Sequence, residues 1–218
     1  MIGADVRPDW SPHVNKPRAS SPAGLHRPMP PQPPCGAPRG PAQRYGILVR
    51  GWSFADTGKA LEAVQTITSG ISTLQLTGAA VWMPVSFAHL TKAYAELGQS
   101  DDDWRCIAEA MATMKTTRES WWEAEVHRMA GEVALQSPKP DAPKAEACFE
   151  RALAVARKQQ ATSLELRASM SMARLWRDQG KRDEARDILA PVYGWFTEGF
   201  DTRDLKEAKA LLDALAAA

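Results

Sequence analysis

TSLELRASMSMARLWRDQGKRDEARDILAPVYGWF, residues 162–196, is the stretch that decides the fold. Leu166, Ser169, Met172, Ala173 and Trp176 recur at helical spacing and fall on one face. Thr162 and Glu165 have capping-box spacing, so the sequence predicts that each side chain satisfies an orphan backbone N–H at the helix start. Gly180 follows the last periodic residue, where a left-handed C-cap costs least. Asp183 is expected to cap a second helix whose apolar face is Ala185, Ile188, Leu189, Val192 and Phe196. Neither helix can hide its apolar face alone, so this helix–turn–helix unit needs neighbours.

The 218 residues suffice for one domain of ordinary size plus a tail, and 44% apolar with 24% charged content is ordinary for a soluble chain. A net charge of +1 conceals an asymmetry: residues 1–45 hold six Lys/Arg against two Asp and no Glu, about +4, which leaves about −3 for the remainder. Neither value points to nucleic acid. Cys35, Cys106 and Cys148 are widely spaced and odd in number, against a disulfide framework or a zinc knuckle. Reduced thiols and a cytoplasmic setting are expected. No apolar run is long enough to span a membrane, and no apolar core of a secretory signal stands at the N-terminus.

Eleven of the sixteen prolines lie in residues 1–45, including PMPPQPP, so this segment is expected to be a disordered or polyproline-II tail. A repeat domain is expected over 46–218. Its first helix carries Ile47, Leu48, Gly51, Trp52 and Phe54 and stops at Gly58; its second presents Leu61, Val64, Ile67 and Ile71. Pro84 suits the first turn of the third helix, with Phe87, Leu90, Tyr94 and Leu97 inward and Gly98 at its end. Asp101 to Asp103 favour the next helix start, which leads into Trp104, Ile107, Met111 and Met114. Ser120 and Glu123 again have capping-box spacing, before Trp121, Trp122, Val126, Ala130 and Val133. Asp141 is expected to cap the helix of Cys148, Phe149 and Leu153, and Asp201–Leu215 to form a last, one-sided helix. Pro191 is expected to kink the helix that contains it.

Gly58 and Gly98 are 40 residues apart, and Gly98 and Gly180 are 82 apart, close to two periods. A period near 40 of helix–turn–helix type indicates an all-α solenoid. The unit resembles a tetratricopeptide repeat (TPR). Gly51, Phe54, Gly58 and Ala63 match its pattern in the first unit, and Tyr94, Gly98 and Ala110 in the second. Gly131, Ala145, Phe149 and Ala152 match in the third, and Ala173, Trp176, Gly180 and Ala185 in the fourth. Asp103 departs from it, as do Gly70 and Val192 in place of the later alanine. The expected architecture is about four TPR-like helix pairs, a C-terminal capping helix and the preceding tail.

Residues 46–217 also resemble the C-terminal region of bacterial class III adenylate/guanylate cyclase proteins that join a cyclase domain, an ATPase domain and TPR-like repeats. WWEAEVHRMAGE, AEACFERALAVARKQQATSLELRASMSMARLW, DQGKRDEAR and LAPVYGWFTEGFDTRDLKEAKALLD carry the resemblance. It implies a regulatory module and a cyclase or ATPase domain as partner. No GxxxxGK followed by Ser or Thr is present, so no phosphate loop accompanies it.

His127 beside Glu123 and Glu125 does not make HExxH, and His89 with Lys92 is equally bare. No catalytic residue, cofactor or metal is expected. In a TPR-like stack one face of each first helix lines a groove. Here that face would carry Trp52, Lys92, Glu96, Arg128, Glu132, Arg174 and Arg177. Trp121 and Trp122 cannot both face inward, and Trp121 joins the groove set as a contact anchor. Arginines at this density would suit an acidic peptide or an anion. The expected function is a non-catalytic interaction module for a protein or peptide, without nucleic acid or membrane; the alternative is a regulatory domain sensing a small anion or metabolite.

Overall fold

Nine α-helices follow one another through the residues for which a computed structural model describes the structure, 41–217. They are α1 (Pro41–Asp56), α2 (Ala60–Gln75), α3 (Met83–Glu96), α4 (Ser100–Thr117), α5 (Glu123–Gln136), α6 (Ala142–Gln159), α7 (Thr162–Asp178), α8 (Arg182–Tyr193) and α9 (Arg203–Ala216). The expected tail lies outside the described residues up to residue 40. Residues 41–45, assigned to it from composition, instead form the start of α1, where Pro41 occupies a position whose missing N–H is not needed.

The helices pack as sequential pairs, α1/α2, α3/α4, α5/α6 and α7/α8, with α9 against α7 and α8. Each odd-numbered helix also touches the next odd one, whereas even-numbered helices touch only odd ones. This is the order of a TPR-like solenoid. The odd helices form a continuous spine, and each even helix is wedged between its own partner and the next pair.

The pairs close on small residues. A Cβ placed on Gly131 would stand 2.7 Å from Phe149 Cδ1 and 2.9 Å from Cζ, so α5 and α6 approach as only glycine allows. Gly51 meets Ile67 in the same way, and Gly70 meets Leu48, both inside 3 Å. In the fourth pair Ala173 and Ala185 are fully buried. The second pair substitutes a polar contact: fully buried Thr91, whose hydroxyl donates to the Phe87 carbonyl of its own helix, also reaches the Asp103 carbonyl of α4 at 3.5 Å. Asp103 Oδ1 has no partner among the described residues, and burial pushes its carboxyl above the usual range.

Gly58, Gly98 and Gly180 all take positive φ (73°, 70° and 81°), as expected from their places after the last periodic residues. At each, the N–H of the following residue donates back into the last helical turn, Lys59 to Phe54, Gln99 to Tyr94 and Lys181 to Trp176, closing a Schellman turn. Gln160 makes the same turn without glycine, at φ 55°, with Ala161 donating to Ala156.

The capping expectations divide. Asp141 accepts from the Lys144 N–H, as its position predicts. Thr162 and Ser120 do not cap: α7 starts after Ala161 and α5 after Trp122, neither with a side-chain cap. Glu165 instead turns inward and pairs with Arg157. Asp183 lies inside the first turn of α8, past the N-cap Lys181, and faces Arg186. Pro191 sits inside α8, in its last turn. Leu61 and Leu97 are exposed, at 58% and 40%, because Ala60 and Ala63 take the inward stripe of α2 and Leu97 stands past the end of α3. Phe196 lies beyond α8, which ends at Tyr193, yet still packs on the C-terminal core with Leu189 and Leu211.

Gly131→Leu should lower stability by about 1–3 kcal/mol through overpacking, read as a fall in the urea midpoint, and Phe149→Ala in the same chain should recover part of it. Gly180→Val should lower the melting temperature, since a β-branched residue resists the left-handed turn. An unchanged melting curve would contradict the turn's importance.

Candidate functional site

Of the groove residues that the sequence singles out, Trp52, Lys92, Glu96, Arg128, Glu132, Arg174 and Arg177 lie on odd-numbered helices and Trp121 in the turn before α5, and most of them are already engaged. On α1, Trp52 stacks on His89 of α3, ring centroids 5.5 Å apart and planes 24° from parallel. His89 Nδ1–H donates to the Val85 carbonyl at 2.8 Å, which turns Nε2 toward Asp56, 3.8 Å away. Lys92 reaches the same carboxylate at 3.0 Å. The Asp56 carboxyl lies well below its usual range: His89 beside it is the largest influence, burial opposes, and Lys92 adds to the lowering.

Arg128 of α5 is the centre of the spine. Its Nη2 and Nε form a bidentate pair with the two Glu125 oxygens, at 2.7 and 3.0 Å. Its Nη1 donates to Glu132 at 3.1 Å and to the Ser171 hydroxyl of α7 at 3.3 Å, while Ser171 itself donates to Glu132 at 2.6 Å. Burial works against charge on Glu125, but the Arg128 guanidinium outweighs it and holds the carboxyl below its ordinary value. Arg167 Nε donates to Asp204 at 2.6 Å and Arg174 Nη2 to Glu207 at 3.0 Å, tying α7 to α9. Arg203 holds Glu207 from the other side, and its hydrogen bond is the main reason that carboxyl also lies low. Arg177 pairs with its neighbour Asp178. Glu96 is exposed and has no ion pair among the described residues.

A second feature was not legible from single residues. Tyr45, Trp82, Trp121 and Trp122 form a ladder of rings at successive centroid distances of 6.2, 5.6 and 5.2 Å. Trp52 joins it at 5.8 Å from Trp82. Trp82 and Trp122 occupy equivalent places, each immediately before an odd helix, and their 40-residue separation was the available signal. Trp121 is 39% exposed, and Trp122 is half-buried with its indole N–H lacking a partner among the described residues.

His127 lies 3.8 Å from Glu123, which also faces Arg151 of α6, and burial lowers its basicity. Among the described residues no three side chains gather as a metal site, and no helix is long and apolar enough to cross a membrane. Cys106 is buried and Cys148 half-buried, both as free thiols; Cys35 lies outside the described residues.

Solved structures share this arrangement. A Podosopora anserina chain described as a putative kinesin light chain with nearly identical TPR-like repeats superposes with a TM-score of 0.56, at 16% identity, over 81% of this chain and 87% of that one. A single-substitution form of the same repeats gives 0.55 and 16% over 81% and 94%. The fold is TPR-like. No protein-family model and no curated protein matches the sequence. At this identity the likeness extends to the architecture of the helix pairs.

Two outcomes follow from the TPR-like spine. Arg128→Leu should cost about 3–5 kcal/mol, because buried Glu125 then loses its bidentate partner and keeps only Arg167, 3.9 Å away; replacing Glu125 and Arg128 together by leucine should cost much less, measured by urea unfolding. Asp56, Glu125 and Glu207 all have folded pKa values below their unfolded ones, so they stabilise the fold above about pH 4 and that contribution drains away as pH falls further. The urea midpoint should therefore drop on acidification, and Asp56→Asn should show a slightly shallower drop, since that exposed pair is partly screened.

Proposed function

We propose that the chain is a non-catalytic, TPR-like interaction module that receives a polypeptide across its odd-helix face. The observation carrying this reading is the aromatic ladder, which runs over three successive repeats and ends on the exposed Trp121. Exposed indole beside packed rings is the surface type that dominates protein interfaces. The charges of the face support a partner that adds to a paired network. Arg128, Arg167, Arg174 and Arg177 each have a carboxylate already, so an acidic segment would have to compete with Glu125, Asp204, Glu207 and Asp178. The alternative, sensing of a small anion, meets the same competition and gains no support from it.

The finer reading is that this module regulates a cyclase- or ATPase-type signalling protein, with one of those domains as partner. Its support is the resemblance of the runs around residues 121–132, 145–176 and 189–213 to the repeat region of such proteins. A cyclase–ATPase reading frame adjoining the gene would strengthen it. Cyclic nucleotide production by the purified chain would overturn the non-catalytic assignment.

Capture of a protein partner by the tagged chain should weaken at least about tenfold in Trp121→Ala, with helicity by circular dichroism unchanged. Arg174→Glu with Arg177→Glu should also weaken capture. Undiminished binding in both variants would remove the odd-helix face from the interface.

A further inference from the structure

The even helices α6 and α8 do not touch each other, and α7 lies between them. A cavity of about 490 Å³ opens there, lined by residues from all three helices and from the turn after α8. None of its lining residues belongs to the ladder or to the Glu125–Arg128–Glu132–Ser171 group. On α8, Glu184, Asp187, Ile188 and Pro191 follow the i, i+3, i+4, i+7 pattern of one helical stripe and all line it. The inward stripe of that helix, Ala185, Leu189 and Val192, is buried in the core.

The chemistry of the walls is specific. Arg157 and the buried Glu165 both line the cavity and neutralise each other at 2.7 Å. Glu184 and Asp187 are exposed and have no ion pair among the described residues, so the cavity carries two uncompensated negative charges. Two indoles complete it. Trp176 is half-buried and its ring is fixed by donation from Nε1 to Glu146 at 2.7 Å. Trp195 is 60% exposed. A cavity with free carboxylates toward one end, an exposed indole toward the other and an apolar strip of Ile188 and Pro191 between them is a receptor for a cation with a hydrocarbon stem.

We propose that this cavity receives an arginine side chain from a basic segment of a partner protein. The guanidinium meets Glu184 and Asp187 at the end of the cavity that Trp176 walls, and its methylene stem runs along Ile188 and Pro191 toward Trp195. Charge complementarity selects a cation over an acid, and the flat aromatic wall with two carboxylates selects a planar, multi-donor guanidinium over a compact ammonium. The site shares no residue with the aromatic ladder or with the Arg128 network, so the module offers a second recognition surface.

The probe is the peptide acetyl-Gly-Arg-Leu-amide, titrated into the full chain while the indole N–H signals of Trp195 and Trp176 are followed by NMR, with Trp195→Phe giving the assignment. Its glutamine and lysine counterparts are the controls. The arginine peptide should move the Trp195 signal to saturation, the lysine peptide should bind more weakly, and the glutamine peptide should leave the signal in place. Glu184→Gln with Asp187→Asn should weaken arginine-peptide binding about five- to tenfold, and both positions are exposed, so circular dichroism should be unchanged. In the unaltered chain, added salt should weaken binding as well. A Trp195 signal that ignores the arginine peptide, responds equally to glutamine or lysine, or shifts independently of salt overturns the proposal.

Discussion

The close approach of the two helices in each pair is the constraint on which the rest of the structure depends. Gly131 against the Phe149 ring is its plainest instance, with Gly51 against Ile67 and Gly70 against Leu48 as variants. Where one partner is reduced to a hydrogen, the other can be large, and interdigitation at interior density becomes available to helices of only 14 to 18 residues. Bringing the axes together in this way leaves each pair with further apolar surface to bury. Successive pairs supply it to one another, and α9 supplies it to the last.

Stacking then places the odd helices side by side and determines where charge can go. Residues that a single helix would present to water face the neighbouring odd helix. Glu125, Arg128, Glu132 and Ser171 accordingly form one hydrogen-bonded group across α5 and α7. Such groups add little net stability compared with apolar packing, but removing one member leaves the others unpaired in a medium of low polarity. They therefore act as register marks between repeats. Arg167 with Asp204 and Arg174 with Glu207 do the same for α7 and α9.

The ladder and the α6/α8 cavity arise from the same geometry. Odd helices in contact bring their preceding tryptophans within ring-packing distance, so Trp82, Trp121 and Trp122 become one surface. Even helices held apart leave room between them, and the composition of α8 gives that room its acidic and aromatic character. A TPR-like scaffold thus presents distinct chemistries where odd helices meet and where even helices are held apart.

The sequence by itself determined the helices, their sequential pairing and the turns that glycine closes. Local period and glycine placement are properties of neighbouring residues, and Gly58, Gly98, Gly180, Asp141 and the face of α7 behave as those local rules require. Tertiary structure alone decided which polar side chains cap and which pair. Glu165 left its capping role because Arg157, eight residues away in sequence, stands beside it once α6 and α7 pack. It also decided that Arg167 and Arg174 are paired, since their carboxylates come from the next odd helix in space. The left-handed turn at Gln160 carried no glycine to announce it, and the packing of α6 against α7 on either side of that turn is what holds the chain there.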